Sequence, residues 1–221
     1  AYGHGLSILK KYKKFVFVSA PASVFDGLTV ALPAFFIASY ASEIAFGQYG
    51  LLSKIVYSPL FILSSSVSIV SFRGLVEMIA LNRPSFRYLC KSAFTLFLIV
   101  FIPASVVFFW LPHLFGFLFG EQWTETGYMI QILLPAIVIR FVASTLSTSL
   151  WAFHANNVES IWKIYAAAQS TFVYFILYQF NPDFSPIIVV AVNEFTIYSI
   201  YLALTLFVSR QHSRRLLLCA E

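Results

Sequence analysis

Four ionisable side chains interrupt the long apolar segments of this sequence, and their positions need a physical explanation. Two are acids, Asp26 and Glu194, and two are bases, Lys54 and Arg140. Charged groups are rare at membrane depth, where they face protein or water and commonly mark the paths of ions and substrates. At about 1.5 Å of rise per residue, Asp26 and Arg140 lie near the middle of their segments, and Lys54 and Glu194 lie nearer the outer end. Each acid therefore has a base at a similar level.

Polar and aromatic side chains recur beside these charges at helical spacing. Residues three and four positions apart share a face of a helix. Stripes of this kind occur in four segments: Ser19, Ser23, Asp26 and Thr29; Lys54, then Tyr57 or Ser58, Ser64 or Ser65, Ser68 and Ser71; Arg140, Ser144, Ser147 and Trp151; Glu194, Tyr198, Tyr201 and Thr205. We expect these stripes to line a shared polar cavity. Small hydroxyl residues also mediate helix packing in membranes, and the charges could instead form structural ion pairs, such as Asp26 with Arg140.

The composition places the stripes in a membrane protein. The chain has 221 residues, of which 60% are hydrophobic and 10% are charged, with a mean hydropathy of +0.84. About a quarter of the residues of an ordinary soluble domain are charged. The sequence predicts an all-α polytopic membrane protein, because the apolar runs are too long and too continuous for barrel strands. Six transmembrane helices are predicted, at about 15–40, 47–72, 90–112, 127–152, 160–180 and 185–208. The third span has no polar stripe and is expected to face lipid.

The distribution of lysine and arginine predicts the orientation of the spans. Basic residues fall in the lead-in 1–14, between spans 2 and 3, at Lys163 at the start of span 5, and in the tail 209–221. The opposite loops carry acids and no Lys or Arg. By the positive-inside rule both termini are cytoplasmic, in a multi-pass protein of the cell inner (cytoplasmic) membrane. Because the basic residues are split among membrane-flanking segments, no nucleic-acid partner is expected.

No spacing typical of an enzyme active site is visible in the sequence. It contains no metal-ligand pattern, no phosphate-binding glycine loop and no nucleophile beside a base. We therefore predict no metal, no cofactor and no catalytic residue. These observations favour a transporter over an enzyme.

Four stretches carry a resemblance to a known family. They are YKKFVFVSAPASVFDGL, FGQYGLLSKIVYSPL, LFGEQWTETG and ILLPAIVIRFVASTLSTSLWAFHANN. In this order and spacing, the chain resembles the C-terminal half of polysaccharide biosynthesis proteins of the oligosaccharide-flippase (Wzx-like) type. These proteins belong to the multidrug/oligosaccharidyl-lipid/polysaccharide exporter superfamily.

The resemblance implies both a fold and a function. Members carry two six-helix lobes around a central cavity, so the predicted spans would form the second lobe of a 6+6 flippase. The N-terminal lobe is absent from this sequence, which is therefore expected to be a fragment, with a six-span homodimer as the alternative. The implied activity moves polyprenyl-diphosphate-linked oligosaccharide across the membrane by alternating access, for surface polysaccharide (O-antigen) assembly. The implied partners are that lipid-linked oligosaccharide, the lipid bilayer and the missing lobe, with polysaccharide assembly proteins as a further option.

The resemblance also suggests roles for the residues of the stripes. Lys54 and Arg140 would offset the charge of the diphosphate. The aromatic residues that would stack on sugar rings are Tyr57, Trp151, Tyr198 and Tyr201. Asp26 and Glu194 would either couple transport to H⁺ or Na⁺ or form charge pairs that hold the two bases in place.

Two other functions stay open on the sequence. An ion-coupled small-molecule (drug) antiporter of the same superfamily would need net acid in its cavity, whereas the four charges at membrane depth balance. A non-transporting membrane scaffold would not need charges at the depth of several helices.

Overall fold

The computed structural model is helical. It describes residues 2–81, 83–180 and 182–218, and gives side-chain surroundings from Pro21 to Arg214 apart from positions 82, 177 and 181. Helix accounts for 91% of the structure, and the described residues contain no strand. The predicted all-α class is confirmed.

The helices follow one another with short connections. Helix α1 covers Tyr2–Tyr40. A continuous helical stretch then combines α2 (Glu43–Leu52), a π turn (Ser53–Tyr57) and α3 (Ser58–Ala80). The middle of the chain contains α4 (Ser85–Phe108), α5 (Leu111–Phe119), a 3-10 turn (Glu121–Trp123), α6 (Thr124–Leu146) and α7 (Ser149–Ala152). The last part contains α8 (Asn156–Thr171), a π turn (Phe172–Leu177), α9 (Tyr178–Phe180) and α10 (Pro186–Leu218).

Five of the described stretches are long and apolar enough to cross a membrane. They are Pro21–Tyr40, Glu43–Ala80, Ser85–Phe108, Glu121–Ala152 and Pro186–Arg214. They coincide with predicted spans 1, 2, 3, 4 and 6, and they are consistent with a membrane protein. The predicted fifth span, 160–180, is helical, but it is divided between α8, a π turn and α9 and is not one of the five. The six-span count therefore stays a prediction.

The helices at the two ends of the chain continue beyond the predicted spans, whose bounds stay a prediction. Helix α1 begins at Tyr2, so the basic lead-in 1–14 is continuous with the first span rather than separate from it. Helix α10 likewise continues to Leu218, through most of the predicted tail 209–221. In both cases the basic residues do not end the helix, because Lys and Arg are good helix formers in water.

The prolines are accommodated in two ways. Pro21 and Pro33 lie inside α1, and Pro103 and Pro135 lie inside α4 and α6, where each removes one backbone hydrogen bond. Pro59 instead follows the first π turn, in which the backbone N–H after the turn reaches a carbonyl five residues earlier. A π turn inserts an extra residue into the helix and is common at functional sites.

Helix α6 forms the centre of the bundle. It packs against α2, α3, α4, α5 and α10, and it contributes more buried side chains than its neighbours. On one side its Leu133 and Ile137 join a core with Phe36 of α1 and Tyr174 of the second π turn, whose rings stack at 4.7 Å. On the other side its Val142 and Leu146 pack against α3 and α4. Helix α6 therefore positions residues relative to most of the molecule.

Contacts between distant segments identify the two ends of the bundle. At one end, the Gln48 side-chain amide donates to the Gln122 carbonyl oxygen at 3.1 Å. At the other, the Ser85 and Ser213 hydroxyls lie 3.2 Å apart. Both contacts join segments that the charge distribution assigns to the same side of the membrane. The side that faces the cytoplasm stays a prediction of the positive-inside rule.

Labelling of single cysteines tests this orientation. In a background without native cysteines, Glu121→Cys and Ser185→Cys should react with an impermeant maleimide added outside intact cells. Leu81→Cys and Gln211→Cys should react only after permeabilisation. All four positions are exposed in the structure. The reverse labelling pattern would show that the orientation is wrong.

Close packing of α5 on α6 gives a second prediction. A Cβ built on Gly127 would lie 2.5 Å from the Pro112 Cα, so Gly127→Ala requires a backbone shift. We expect a loss of about 1–3 kcal/mol in the free energy of unfolding, as overpacking in a core produces. Thermal unfolding in detergent measures it.

Gly47→Ala is the matched control, because nothing lies within 4 Å of a Cβ at that position. Equal melting temperatures for the two variants would contradict the described packing of α5.

Candidate functional site

A cavity of about 440 Å³ lies among the helices, and most of its polar lining comes from the predicted stripes. Five helices line it: α1, α3, α6, α8 and α10. The side chains with polar atoms that line it are Asp26, Tyr57, Ser64, Ser65, Ser68, Arg140, Ser144, Ser147, Thr148, Glu159, Trp162, Lys163, Tyr198 and Tyr201. Its apolar lining includes Val30, Phe61 and Ile69, which are largely exposed, so the cavity reaches the surface between α1 and α3.

An ion pair between α6 and α10 lies at the wall of this cavity. Arg140 Nη1 donates to Glu194 Oε1 at 3.0 Å. Glu194 Oε2 accepts a hydrogen bond of 2.9 Å from the Tyr57 hydroxyl. Both carboxylate oxygens therefore have a donor, and the side chain of Glu194 is only 6% exposed. A buried carboxylate needs this degree of satisfaction to keep its charge.

Aromatic rings complete the surroundings of Arg140. Its guanidinium carbon lies 4.6 Å from the centre of the Tyr57 ring and 5.2 Å from that of Tyr198. Both distances fall within the range of a cation–π contact. Tyr57 ends the first π turn. That turn therefore brings one side chain into contact with both members of the ion pair.

A second charged cluster lies on α8 and α1. Lys163 Nζ lies 2.9 Å from Glu159 Oε1, four residues earlier on the same helix, and 3.7 Å from Asp26 Oδ2 on α1. Glu159 also accepts the indole N–H of Trp151. The Asp26 side chain is 51% exposed, whereas that of Glu159 is 12% exposed. The ammonium is therefore held mainly by Glu159, and Asp26 is the more open acid.

An aromatic wall stands beside the second cluster. The Trp162 and Tyr201 rings stack with centres 3.8 Å apart and planes 14° from parallel. Trp162 is 6% exposed, and its indole N–H has no hydrogen-bond partner among the described residues. An unpaired buried donor costs about 1–3 kcal/mol.

Some hydroxyl groups both form contacts between helices and line the cavity. The Ser64 and Thr145 hydroxyls lie 3.0 Å apart, and those of Ser68 and Thr148 lie 2.9 Å apart. These two contacts join α3 to the end of α6 and the residue that follows it. The two interpretations of the serine stripe therefore apply together, because Ser64 and Ser68 both pack between helices and line the cavity.

The structure brings together most of the predicted site residues. Asp26, Tyr57, Arg140, Tyr198 and Tyr201 line the cavity, and Glu194 lies behind them on Arg140. No described residue of α4 lines it, and the lipid-facing position of this span stays a prediction.

Two predicted residues lie elsewhere, and the ion pairs differ from the Asp26–Arg140 pair that the sequence leaves open as an alternative. Lys54 is exposed on the first π turn and does not line the cavity, and Trp151 is 56% exposed and touches the site only through Glu159. Arg140 pairs with Glu194 and not with Asp26, whose partner is Lys163. Depth along a helix defines the level of a charge but not the direction in which it points.

Four polar residues of the cavity belong to no predicted stripe: Thr148, Glu159, Trp162 and Lys163. Lys163 was assigned to the cytoplasmic flank because it lies at the start of a predicted span. The available signal was the spacing of Glu159 and Lys163, which are four residues apart and so share a helix face. An acid and a base on one helix face at the start of a span are as consistent with a charged cluster inside the bundle as with charges outside the membrane.

Comparison with protein-family models, curated proteins and solved structures finds no match to this chain. The geometry of the cavity and the resemblance noted in the sequence are therefore the basis of the function proposed below.

Removal of one member of the Arg140–Glu194 pair should destabilise the protein. Arg140→Gln or Glu194→Gln alone leaves the other charge buried, which costs about 3–5 kcal/mol. We expect a lower membrane abundance and a lower melting temperature for each single variant, and recovery of both for the double variant.

Lys54→Gln is the matched control, because that side chain is exposed and has no ion-pair partner among the described residues. Single variants as stable as the control would contradict a structural role for the pair.

Proposed function

We propose that the chain forms one lobe of a membrane transporter that moves lipid-diphosphate-linked oligosaccharide across the cytoplasmic membrane by alternating access. The proposal follows the resemblance to oligosaccharide flippases and assigns the sugar head of the substrate to the cavity. It requires a second lobe to close the open side between α1 and α3. The protein acts in surface polysaccharide assembly, and the transport step itself changes no covalent bond.

One observation supports this proposal most strongly: a polar cavity opens sideways from a bundle of apolar helices. A sugar head must cross about 30 Å of hydrocarbon, where unsatisfied polar groups are expensive. A cavity with hydroxyl, tyrosine and charged side chains can replace the water around the sugar. Because Val30, Phe61 and Ile69 form an exposed apolar border, a prenyl tail can stay in lipid while the head occupies the cavity.

The cavity size also suits a small polar head. Its volume of about 440 Å³ lies within the range of about 300–1,000 Å³ that is typical of small-molecule pockets. Tyr198 and Tyr201 supply rings that are apolar on their faces and polar at the hydroxyl, as sugar rings require.

The proposal gives the two predicted phosphate ligands different positions. Lys54 lies exposed near the predicted outer end of its helix, where an ammonium can meet a phosphate at headgroup depth. Arg140 is engaged by Glu194, so it acts in the proposal mainly by holding α6 and α10 together beside the cavity. Coupling to H⁺ or Na⁺ would fall to Asp26, because both oxygens of Glu194 already accept hydrogen bonds.

A second candidate function is an ion-coupled antiporter of small cationic molecules, and one observation favours it. The Asp26 carboxylate is half exposed and is 3.7 Å from an ammonium that lies closer to Glu159. A cationic substrate could pair with it. The transport assay below separates the two functions when both substrate classes are supplied.

Blocking the cavity tests the proposed function. Ser144 lines the cavity, so Ser144→Trp should fill it and lower transport of a lipid-linked oligosaccharide at least tenfold. Ser66→Trp is the matched control, because Ser66 is exposed on α3 and does not line the cavity. Transport is measured with the full-length protein in proteoliposomes, beside abundance and melting temperature.

Normal transport by a folded Ser144→Trp variant would contradict the proposal. If an organic cation is transported and the lipid-linked sugar is not, the result favours the antiporter.

A further inference from the structure

The charges around the cavity are unequally neutralised. Arg140 is neutralised by Glu194 at 3.0 Å, and Lys163 is neutralised by Glu159 at 2.9 Å. The third acid, Asp26, is 3.7 Å from Lys163 and half exposed. These five side chains carry three acids and two bases, so their formal charge is −1. The accessible excess charge in the cavity is therefore negative, and it lies on Asp26.

This arrangement disfavours an anionic group in the cavity. An anion would have to break one of the two close ion pairs or accept repulsion from Asp26. Breaking a buried pair leaves the carboxylate without its counter-charge. A buried carboxylate without a partner is unfavourable in a low-dielectric environment. The cavity is consequently suited to a ligand that has many hydrogen-bonding groups and no negative charge.

The hydrogen-bonding groups of the α8 side match a sugar ring. Trp162 and Tyr201 both line the cavity, and their rings stack to form an aromatic wall. Asp26 offers carboxylate oxygens that can accept from hydroxyl groups, and such charge-assisted hydrogen bonds are strong. A carboxylate acceptor and aromatic side chains are thus present within one cavity.

We propose that the α8 side of the cavity binds a glycosyl unit without an acidic group, and that Asp26 selects against acidic sugars. In this arrangement Asp26 accepts from sugar hydroxyls. The diphosphate stays outside this part of the cavity. The inference rests on the proposed function and adds the class of sugar that the site accepts.

Binding of a matched pair of disaccharides tests the inference. The probes are cellobiose and its uronic acid analogue, which differ by one carboxylate, and inorganic pyrophosphate serves as a third probe. Binding to the full-length protein in nanodiscs is measured by saturation-transfer NMR titration. We expect cellobiose to bind at least tenfold more tightly than the acid, and pyrophosphate not to compete with it.

Two variants locate the effect. Asp26→Asn should reduce the discrimination to less than threefold by improving the affinity of the acid. Glu43→Gln is the control, since Glu43 is exposed and outside the cavity. Melting temperatures confirm that each variant is folded.

Equal or tighter binding of the acid, competition by pyrophosphate, or no binding of cellobiose would overturn the inference. An unchanged preference in a folded Asp26→Asn variant would overturn the role of Asp26. Transport measurements separate this result from the proposed function. Transport of acidic lipid-linked sugars in preference to neutral ones contradicts the inference alone, whereas selective cellobiose binding without any sugar transport contradicts the proposed function alone.

Discussion

The buried ion pair between Arg140 and Glu194 is the interaction on which the rest of the site depends. A charge inside a membrane bundle persists only where a partner and hydrogen bonds replace water. Here the partner lies on α10, and the remaining carboxylate oxygen is satisfied by the Tyr57 hydroxyl from the π turn that precedes α3. Three helices are thereby fixed around one point. The cavity lies beside that point, and α3, α6 and α10 all contribute polar side chains to its lining.

This arrangement explains why the molecule can hold both a packed core and a cavity. The packed core is closed by stacked aromatic residues such as Phe36 and Tyr174. Along the cavity, Ser64 and Ser68 contact Thr145 and Thr148 through their hydroxyls and leave space beside them. Small polar side chains allow close helix approach without filling the volume between helices. The cavity is thus a consequence of side-chain size and of how the polar groups are satisfied.

Sequence reasoning predicted the helical class and the cavity-lining faces of α3, α6 and α10, because both follow from apolar length and helical periodicity. It did not predict the ion pairing. Asp26 and Arg140 share a level, but the choice between Glu194 and Asp26 depends on which helices are neighbours. The π turn before Pro59 was also invisible, although it decides where Tyr57 points. The contacts of Lys163 were missed for a related reason: its position near a span end indicated only a membrane flank, whereas the packing of α8 on α1 brings its ammonium to Glu159 and Asp26.

The most direct measurement is photo-crosslinking of a radiolabelled lipid-linked oligosaccharide to the full-length protein in its membrane. A photoreactive residue is placed at Ser65, which lines the cavity and is exposed, and separately at the neighbouring Ser66, which does not line it. The two positions share depth and helix and differ in the direction they face. We expect a sugar-dependent crosslink at Ser65 and none at Ser66. Equal labelling at both positions, or labelling at Ser66 alone, would contradict the claim that this cavity receives the substrate head.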